Sequence, residues 1–264
     1  MGSTTAGKLV LKNLHSLEEK FPELINLVAM ATDDPTDEKA RISARKRIWA
    51  YYNEEEKKSL FEQVLSTANQ IGVPCYTGEV KTNYFRQILQ EWAPDLIIMC
   101  CFGQKIDAVI FDFPTYGMYN FHPSDLKKKI GAGARPFHET MENDHKLSMM
   151  SIHRVNEEID AGPVVGTSPP INICLADGSY PANILTLQEK IPVVCGWMTI
   201  ELLLATLAQK EKGIHSPVHC VNYHQKFPDY IKSKLMEPAS DDLTFDYSLP
   251  PHFLFTDNIP DGKD

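Results

Sequence analysis

The sequence predicts an α/β fold: a doubly wound, mostly parallel sheet with an irregular carboxy-terminal extension. Two continuous apolar runs, residues 24–31 and 95–101, have the composition of strands that are buried on both faces. Helical patterns alternate with these runs. One helix is predicted to begin with the acids after Asn53 and to carry an apolar stripe up to Gly72, and a second helix is predicted over residues 84–92. Strands and helices that alternate at this spacing are typical of doubly wound sheets.

Length and composition set the domain organisation. The chain has 264 residues, of which 43% are hydrophobic and 23% charged, which indicates a globular protein with one large domain and a possible appendage. We expect a main domain over residues 1–212 and a Pro-rich, acidic extension over residues 213–264. The net charge of −9 argues against extensive phosphate contact, so nucleic acid is not the expected partner.

The cysteine pattern and the apolar runs bear on metals and location. The six cysteines form no CxxC pair and have no metal-binding spacing with histidine, so we expect reduced thiols and no metal site. No signal-peptide pattern is present, and no apolar run reaches the length of a membrane span. These features predict a cytoplasmic protein that does not contact membranes.

The strongest chemical signal is an amide, an imidazole and a carboxylate at Asn120, His122 and Asp160. Each has a structural explanation as well, since Asn caps turns, His is often half-buried and Asp is common in loops. A predicted strand over residues 117–122 presents Asn120 and His122 on one face at period two. Together with Asp160, which must fold back onto this edge, they could polarise a carbonyl and move protons near neutral pH.

Three segments carry a resemblance to a known family. They are Asn-Phe-His-Pro-Ser at residues 120–124, Gly-Ala-Arg-Pro-Phe at 133–137 and Asp-Ala-Gly-Pro-Val-Val at 160–165. The combination resembles the 10-formyltetrahydrofolate-dependent formyltransferases, which include glycinamide ribonucleotide, methionyl-tRNA and sugar N-formyltransferases. The resemblance extends over residues 2–210 and implies a Rossmann-like formyltransferase domain at 1–212.

The resemblance implies transfer of a formyl group from the co-substrate 10-formyltetrahydrofolate to a primary amine. Asn120 and protonated His122 would stabilise the developing oxyanion, and Asp160 would set the protonation of His122. No metal or covalent enzyme intermediate is needed. The expected partners are therefore folate and a small amine, and a homodimer is left open.

The resemblance also implies residues for the two substrates. Those expected to bind folate are Phe102, Gly103, Gln104, Lys105, Ile106, Glu158 and Ile159. Those expected to bind the acceptor are Gly2, Ser3, Thr4, Gly133 and Arg135. Residues 125–132 form a longer loop than is usual in the family. Five basic side chains in residues 39–47 suggest either an acceptor-binding insertion or a solvated helix face, and we favour the second.

Two alternatives remain open at this point. A hydrolase would use water in place of the amine, and the run at residues 133–138 is similar to that of formyltetrahydrofolate hydrolases. A catalytically idle folate-binding protein is the other alternative. The acceptor also stays open among glycinamide ribonucleotide, an amino sugar nucleotide and an aminoacyl-tRNA, although residues 213–264 are too short for the β-barrel of methionyl-tRNA formyltransferases.

The amino terminus carries one further expectation. The family has a β-strand before the turn that corresponds to residues 2–7, and that strand is not in this sequence. A parallel sheet without a central strand loses burial and backbone pairing. We therefore expect either an additional apolar segment before Gly2 or a lower stability than with such a strand restored.

Overall fold

The computed structural model describes residues 1–37, 48–133, 135–190, 192–223, 227 and 229–241. The helices are α1 (Thr4–Lys20), α2 (Glu54–Ile71), α3 (Asn83–Trp92), α4 (Ala108–Phe111), α5 (Pro136–Glu142), α6 (Leu185–Lys190), α7 (Pro192–Glu211) and α8 (Asp229–Met236). The strands are β1 (Met30–Ala31), β2 (Cys75–Tyr76), β3 (Ile97–Cys100), β4 (Met118–His122), β5 (Leu147–Ser148), β6 (Ser151–Arg154), β7 (Val164–Thr167) and β8 (Ile171–Asn172). The basic run at residues 39–47 lies outside the described residues.

The strands confirm the predicted α/β fold, and the direction of strand pairing in the main sheet changes at β4. The main sheet has the order β3-β4-β6-β7, in which β3 and β4 are parallel and the other two pairings are antiparallel. The connection from β6 to β7 spans residues 155–163, which is too short for the helical crossover that a parallel pair needs. The sheet is therefore parallel in its amino-terminal half and antiparallel beyond β4.

Short backbone contacts at the amino terminus extend this sheet. The Gly2 N–H donates to the Ala31 carbonyl oxygen at 2.9 Å, and the Cys100 N–H donates to the Met1 carbonyl oxygen at 3.0 Å. Residues 1–3 therefore lie between β1 and β3, and β2 pairs in parallel with the far side of β1. Residues 1–3 thus take the place in the sheet where the end of a central strand would lie.

Local signals explain the helices that flank the sheet. The Asn53 side chain accepts the Glu56 N–H at 2.9 Å and the Glu56 carboxylate accepts the Asn53 N–H at 2.8 Å, a reciprocal cap that starts α2 where the sequence predicted it. Gly72 ends α2 with φ 80°, a conformation that glycine adopts without steric cost. Pro192 begins α7, since proline lacks the N–H that a helix interior requires.

The described residues between 213 and 241 pack on the same core as the sheet. They contain α8, and their buried side chains include Tyr223, Phe227, Ile231 and Leu235. Few apolar side chains in this segment recur at the period of a helix or a strand, so the sequence predicted only an irregular extension. Residues 242–264 lie outside the described part, and the division after residue 212 stays a prediction. Within the described ranges, no helix is both long and apolar enough to cross a membrane.

An apolar cleft lies beside the amino terminus. Residues 24–31 were predicted as one strand, yet only Met30 and Ala31 pair with β2. The remainder borders a cleft of about 480 Å³ whose opposite wall includes Leu96, Ile97 and Ile98. The Met1 ammonium is buried at its end and donates to the Ile98 carbonyl oxygen at 2.6 Å, and burial lowers the pKa of this ammonium to about 6. Burial of this terminal amine away from water costs stability.

We expect an added amino-terminal segment of about six Val- and Ile-rich residues to raise the midpoint of thermal unfolding. The segment would bury apolar side chains in the cleft and would replace the Met1 ammonium by a neutral peptide N–H. A Gly/Ser segment of equal length is the control, because it removes the ammonium without supplying a strand. Equal midpoints for the two extended proteins would mean that the cleft does not accept a strand.

Candidate active site

The end of β4 brings the predicted amide and imidazole together. Asn120 and His122 lie two residues apart on β4, so their side chains project from the same face of the sheet, and both are buried. The parallel neighbour β3 ends at Cys100 beside Phe121. Ligands of open α/β sheets bind beyond the carboxyl ends of parallel strands, and this edge is such a place.

Asp160 reaches this edge from the loop between β6 and β7, as the sequence required. Its Oδ1 accepts the Asn120 Nδ2–H at 3.2 Å, and its Oδ2 lies 3.6 Å from the His122 Nδ1. Gly162 makes the close return of the loop feasible, because a Cβ there would lie 1.8 Å from the Arg154 carbonyl oxygen. Asp160 itself has φ 56°, a left-handed conformation that is costly for a residue with a side chain and that is often found at functional sites.

The His122 ring is oriented by the loop before α5. Its Nε2–H donates to the Gly131 carbonyl oxygen at 2.6 Å, which leaves Nδ1 directed towards Asp160. Gly131 has φ 66°, and a Cβ there would lie 2.9 Å from the Pro136 carbonyl oxygen, so only glycine fits. Burial lowers the pKa of His122, although the Asp160 charge and the Gly131 carbonyl oppose this. The protonation state of the ring during the reaction, and with it the protonated form expected from the sequence, stays a prediction.

Asp160 is the charged centre of the group. Burial opposes its ionisation, but His153, His122 and the Gly133 N–H outweigh burial and hold the pKa of the carboxyl below its usual range. The Gly133 N–H donates to Oδ2 at 3.0 Å. Asp160 is therefore ionised wherever the protein is folded near neutral pH.

His153 completes the group, and sequence reasoning missed it. It lies on β6 directly across from Asn120, and the Asn120 Nδ2–H donates to its Nε2 at 3.1 Å. Its Nδ1–H donates to the Arg154 carbonyl oxygen at 3.1 Å, which orients the ring so that Nε2 faces both Asn120 and Asp160. The cross-strand register that joins the two residues follows from antiparallel pairing of β4 and β6, which the sequence did not reveal. The one signal for His153 in the sequence was the alternation of polar and apolar side chains at Ser151, Ile152 and His153 in a buried strand.

A cleft of about 180 Å³ opens above these side chains. One wall is the loop after β3, and another is the loop that carries Asp160. Predicted folate-binding residues in its lining are Phe102, Gly103, Gln104, Lys105, Ile106, Glu158 and Ile159. The structure thus brings every predicted folate residue to the cleft that contains Asn120, His122 and Asp160. Which of them contact a ligand stays a prediction.

The predicted acceptor residues divide into two groups. Thr4 and Gly133 line the cleft. The Gly2 N–H and the Ser3 hydroxyl already have protein partners, and neither residue is part of the lining. Arg135 lies outside the lining as well, but near Tyr51, which lines the cleft and which the sequence did not single out. The acceptor assignments therefore remain predictions.

No metal site accompanies the cleft in the described ranges. In these ranges, no group of three or more His, Cys, Asp or Glu side chains is arranged so that it could hold a metal ion. All six cysteines are free thiols. The side chains of Asn120, His122, His153 and Asp160 can form hydrogen bonds, and the last three can also exchange protons.

Solved structures share the fold of this chain. Phosphoribosylglycinamide formyltransferase from Bacillus halodurans aligns with a TM-score of 0.55 and 18% identity, covering 81% of this chain and 96% of that protein. The corresponding enzyme from Anaplasma phagocytophilum aligns with a TM-score of 0.53 and 16% identity, covering 80% and 85%. At this identity the likeness concerns the fold alone.

Sequence comparison reaches curated relatives and a family. Methionyl-tRNA formyltransferase from Thermotoga neapolitana is 32% identical over 109 residues, which are 41% of this chain and 34% of the relative. The enzyme of that name from Thermodesulfovibrio yellowstonii is 29% identical over 156 residues, 59% of this chain and 47% of the relative. The matches thus span between a third and a half of the relatives' length. A model of the formyl transferase family matches residues 13–191, and the chain therefore belongs to that family.

Proposed function

We propose that the protein transfers a formyl group from 10-formyltetrahydrofolate to a primary amine. The observation that carries the proposal is the buried arrangement of Asn120, His122 and Asp160 at the floor of one cleft. Membership of the formyl transferase family supports the same reaction. The relatives named above act on different amines, according to their names, so the family does not identify the acceptor.

The cleft walls fit a formyl folate as donor. The loop after β3 contributes Phe102 and Ile106 to the lining of the cleft, and apolar walls of this kind suit a flat heteroaromatic ring. Asn120 and His122 lie beyond this loop, where a formyl group attached to the ring system could reach them. The donor supplies an activated formyl carbon, and the protein supplies orientation and proton transfer.

Asn120 and His122 have separate roles in the proposed reaction. As the amine attacks the formyl carbon, an Asn120 N–H leaves Asp160 and donates to the formyl oxygen, where negative charge develops. The Nδ1 lone pair of neutral His122 takes the proton of the attacking amine. When the tetrahedral intermediate collapses, His122 returns this proton to the departing folate nitrogen. The protonation state of His122 is restored after each turnover.

Asp160 and His153 hold these two residues in place. The Asp160 carboxylate stabilises the transient imidazolium of His122 at 3.6 Å. His153 accepts the second Asn120 N–H and so directs the amide plane. The Gly131 carbonyl fixes the tautomer of His122, and buried surroundings limit competing attack by water. A cytoplasmic location and a homodimer stay predictions.

The acceptor is tested by a direct screen. Purified protein and 10-formyltetrahydrofolate are combined with glycinamide ribonucleotide, an amino sugar nucleotide or an aminoacyl-tRNA, and formylated product is measured. A reaction without acceptor reports hydrolysis. We expect one amine to be formylated faster than formate is released. Formate release alone would favour the hydrolase, and neither product would favour an idle folate-binding protein.

Folate binding should protect the two cleft loops. We expect folinic acid, a stable formyl folate, to slow amide hydrogen exchange in residues 102–106 and 158–160, because these loops form opposite walls of the cleft. The exposed turn at residues 175–179 serves as an internal control and should not change. Binding without protection at either loop would show that the folate lies elsewhere.

Replacing His122 with Ala should lower kcat by about a hundredfold or more, because general bases contribute on this scale. His219→Ala is the matched control, since His219 is exposed and does not line the cleft. The unfolding midpoint of each variant should be measured in parallel to exclude misfolding. Turnover at the wild-type rate in a folded His122→Ala protein would remove His122 from the mechanism.

The pH profile separates the two roles considered for His122. Burial lowers the pKa of His122, so its base form dominates at neutral pH. We expect kcat to hold through neutral pH and to fall only at a pH below the usual pKa of histidine, because the lowered pKa delays protonation of the ring. The measurement is kcat at saturating donor and acceptor across this range. A kcat that instead falls with rising pH would indicate that the protonated ring is the active form.

A further inference from the structure

Asp33 lies behind the cleft and joins two of its walls. It follows β1, and only 2% of the residue is exposed. Its Oδ2 accepts the Gly103 N–H at 2.6 Å and the Ser3 hydroxyl at 3.0 Å. Gly103 belongs to the loop after β3, and Ser3 belongs to the turn that opens α1. One carboxylate oxygen therefore connects both segments.

The contact with the amino-terminal turn is reciprocal. The Asp33 N–H donates to the Ser3 Oγ at 3.1 Å, while the Ser3 Oγ lies 3.2 Å from the Thr32 Oγ1. Thr4 follows directly, lines the cleft and has φ 58°. A left-handed threonine is strained, so it persists only where its neighbours are held firmly. Ser3 and Asp33 supply that restraint.

The contact with the other loop is equally local. Residues 101–106 form no regular secondary structure, and Cys101 has φ 50°. The loop is anchored through two neighbouring residues. The Gly103 N–H donates to Asp33, and the Gln104 side chain accepts the Val80 N–H at 3.0 Å and donates to the Gly78 carbonyl oxygen at 3.1 Å. Removal of Asp33 would release the Gly103 N–H and leave the contacts of Gln104 in place.

This arrangement costs stability. Burial raises the pKa of Asp33, because a carboxylate away from water is destabilised, whereas Gly103 and Ser3 favour the ionised form. No group among the described residues forms a hydrogen bond with its Oδ1. Groups that weaken the fold while joining two walls of a cleft are typical of functional positions. Asp33 does not line the cleft, so any such role is indirect.

We infer that Asp33 is a positioning residue that fixes the spacing between the loop at residues 101–106 and the turn at Ser3 and Thr4. This spacing aligns two walls of the cleft over Asn120 and His122. The loop at residues 101–106 is the donor wall, which would bind the formyl folate, and the turn at Ser3 and Thr4 is the acceptor wall, which would bind the amine. The inference rests on the proposed function for the identity of the two substrates. The spacing itself can be measured without either substrate.

The experiment compares Asp33→Ala, Asp33→Asn and Ser3→Ala in the full chain, with Asp177→Asn as a control at an exposed turn. Hydrogen exchange of the ligand-free proteins reports on both segments. Calorimetric titration with folinic acid reports on the donor wall, and the KM of the best amine in the screen reports on the acceptor wall. If Asp33→Ala does not fold, Asp33→Asn takes its place.

Asp33→Ala should speed exchange at residues 1–6 and 101–106, weaken folinic acid binding about tenfold and raise the acceptor KM by a similar factor. Ser3→Ala should affect residues 1–6 and the acceptor KM only. Asp33→Asn should lose less than Asp33→Ala, because an amide oxygen can accept the same two bonds. Asp177→Asn should match the wild type.

Two outcomes would overturn the inference. One is an Asp33→Ala protein in which exchange at both segments equals that of the wild type, and the other is a uniform rise in exchange across the whole chain, which indicates a general loss of stability. A wild-type protein that binds no folinic acid and formylates no amine would overturn the proposed function. The exchange pattern would still decide the role of Asp33 in that case.

Discussion

The site depends on one buried carboxylate. Asp160 lies between His122 and His153, accepts an N–H from Asn120 and accepts the Gly133 N–H from a separate loop. An ionised carboxylate at this depth requires compensating charge or hydrogen bonds, and these four partners provide them. The same contacts orient the side chains that would meet a substrate. Loss of the Asp160 charge would therefore loosen all of its partners together.

The fold supplies these partners from different directions. Parallel pairing of β3 and β4 ends both strands at one edge, where Asn120 and His122 lie. Antiparallel pairing of β4 and β6 then sets His153 opposite Asn120, and a short loop returns Asp160 to the same edge. The change from parallel to antiparallel pairing at β4 thus places a second histidine beside the first. A uniformly parallel sheet would have required a helix between β6 and β7 and would not have returned Asp160 so directly.

Local signals made much of this predictable from the sequence. The caps at Asn53 and Gly72 are short-range features, and the two-residue spacing of Asn120 and His122 follows from strand geometry. Contacts between residues that lie far apart in the sequence could not be predicted in this way. The pairing of Asn120 with His153, the Gly131 carbonyl on His122 and the bond from Gly103 to Asp33 join residues that the local pattern does not relate. The lowered pKa of His122 also depends on burial that the fold creates. The packing of Tyr223 and Phe227 on the core is a further tertiary effect.

The most direct test of the account is a crystal structure of the protein with folinic acid bound. The account predicts that the ring system contacts residues 102–106, and that N10, the nitrogen that carries the formyl group in 10-formyltetrahydrofolate, faces the Asn120 amide and the His122 ring. A folate bound outside this cleft, or bound with N10 directed away from Asn120 and His122, would contradict the account.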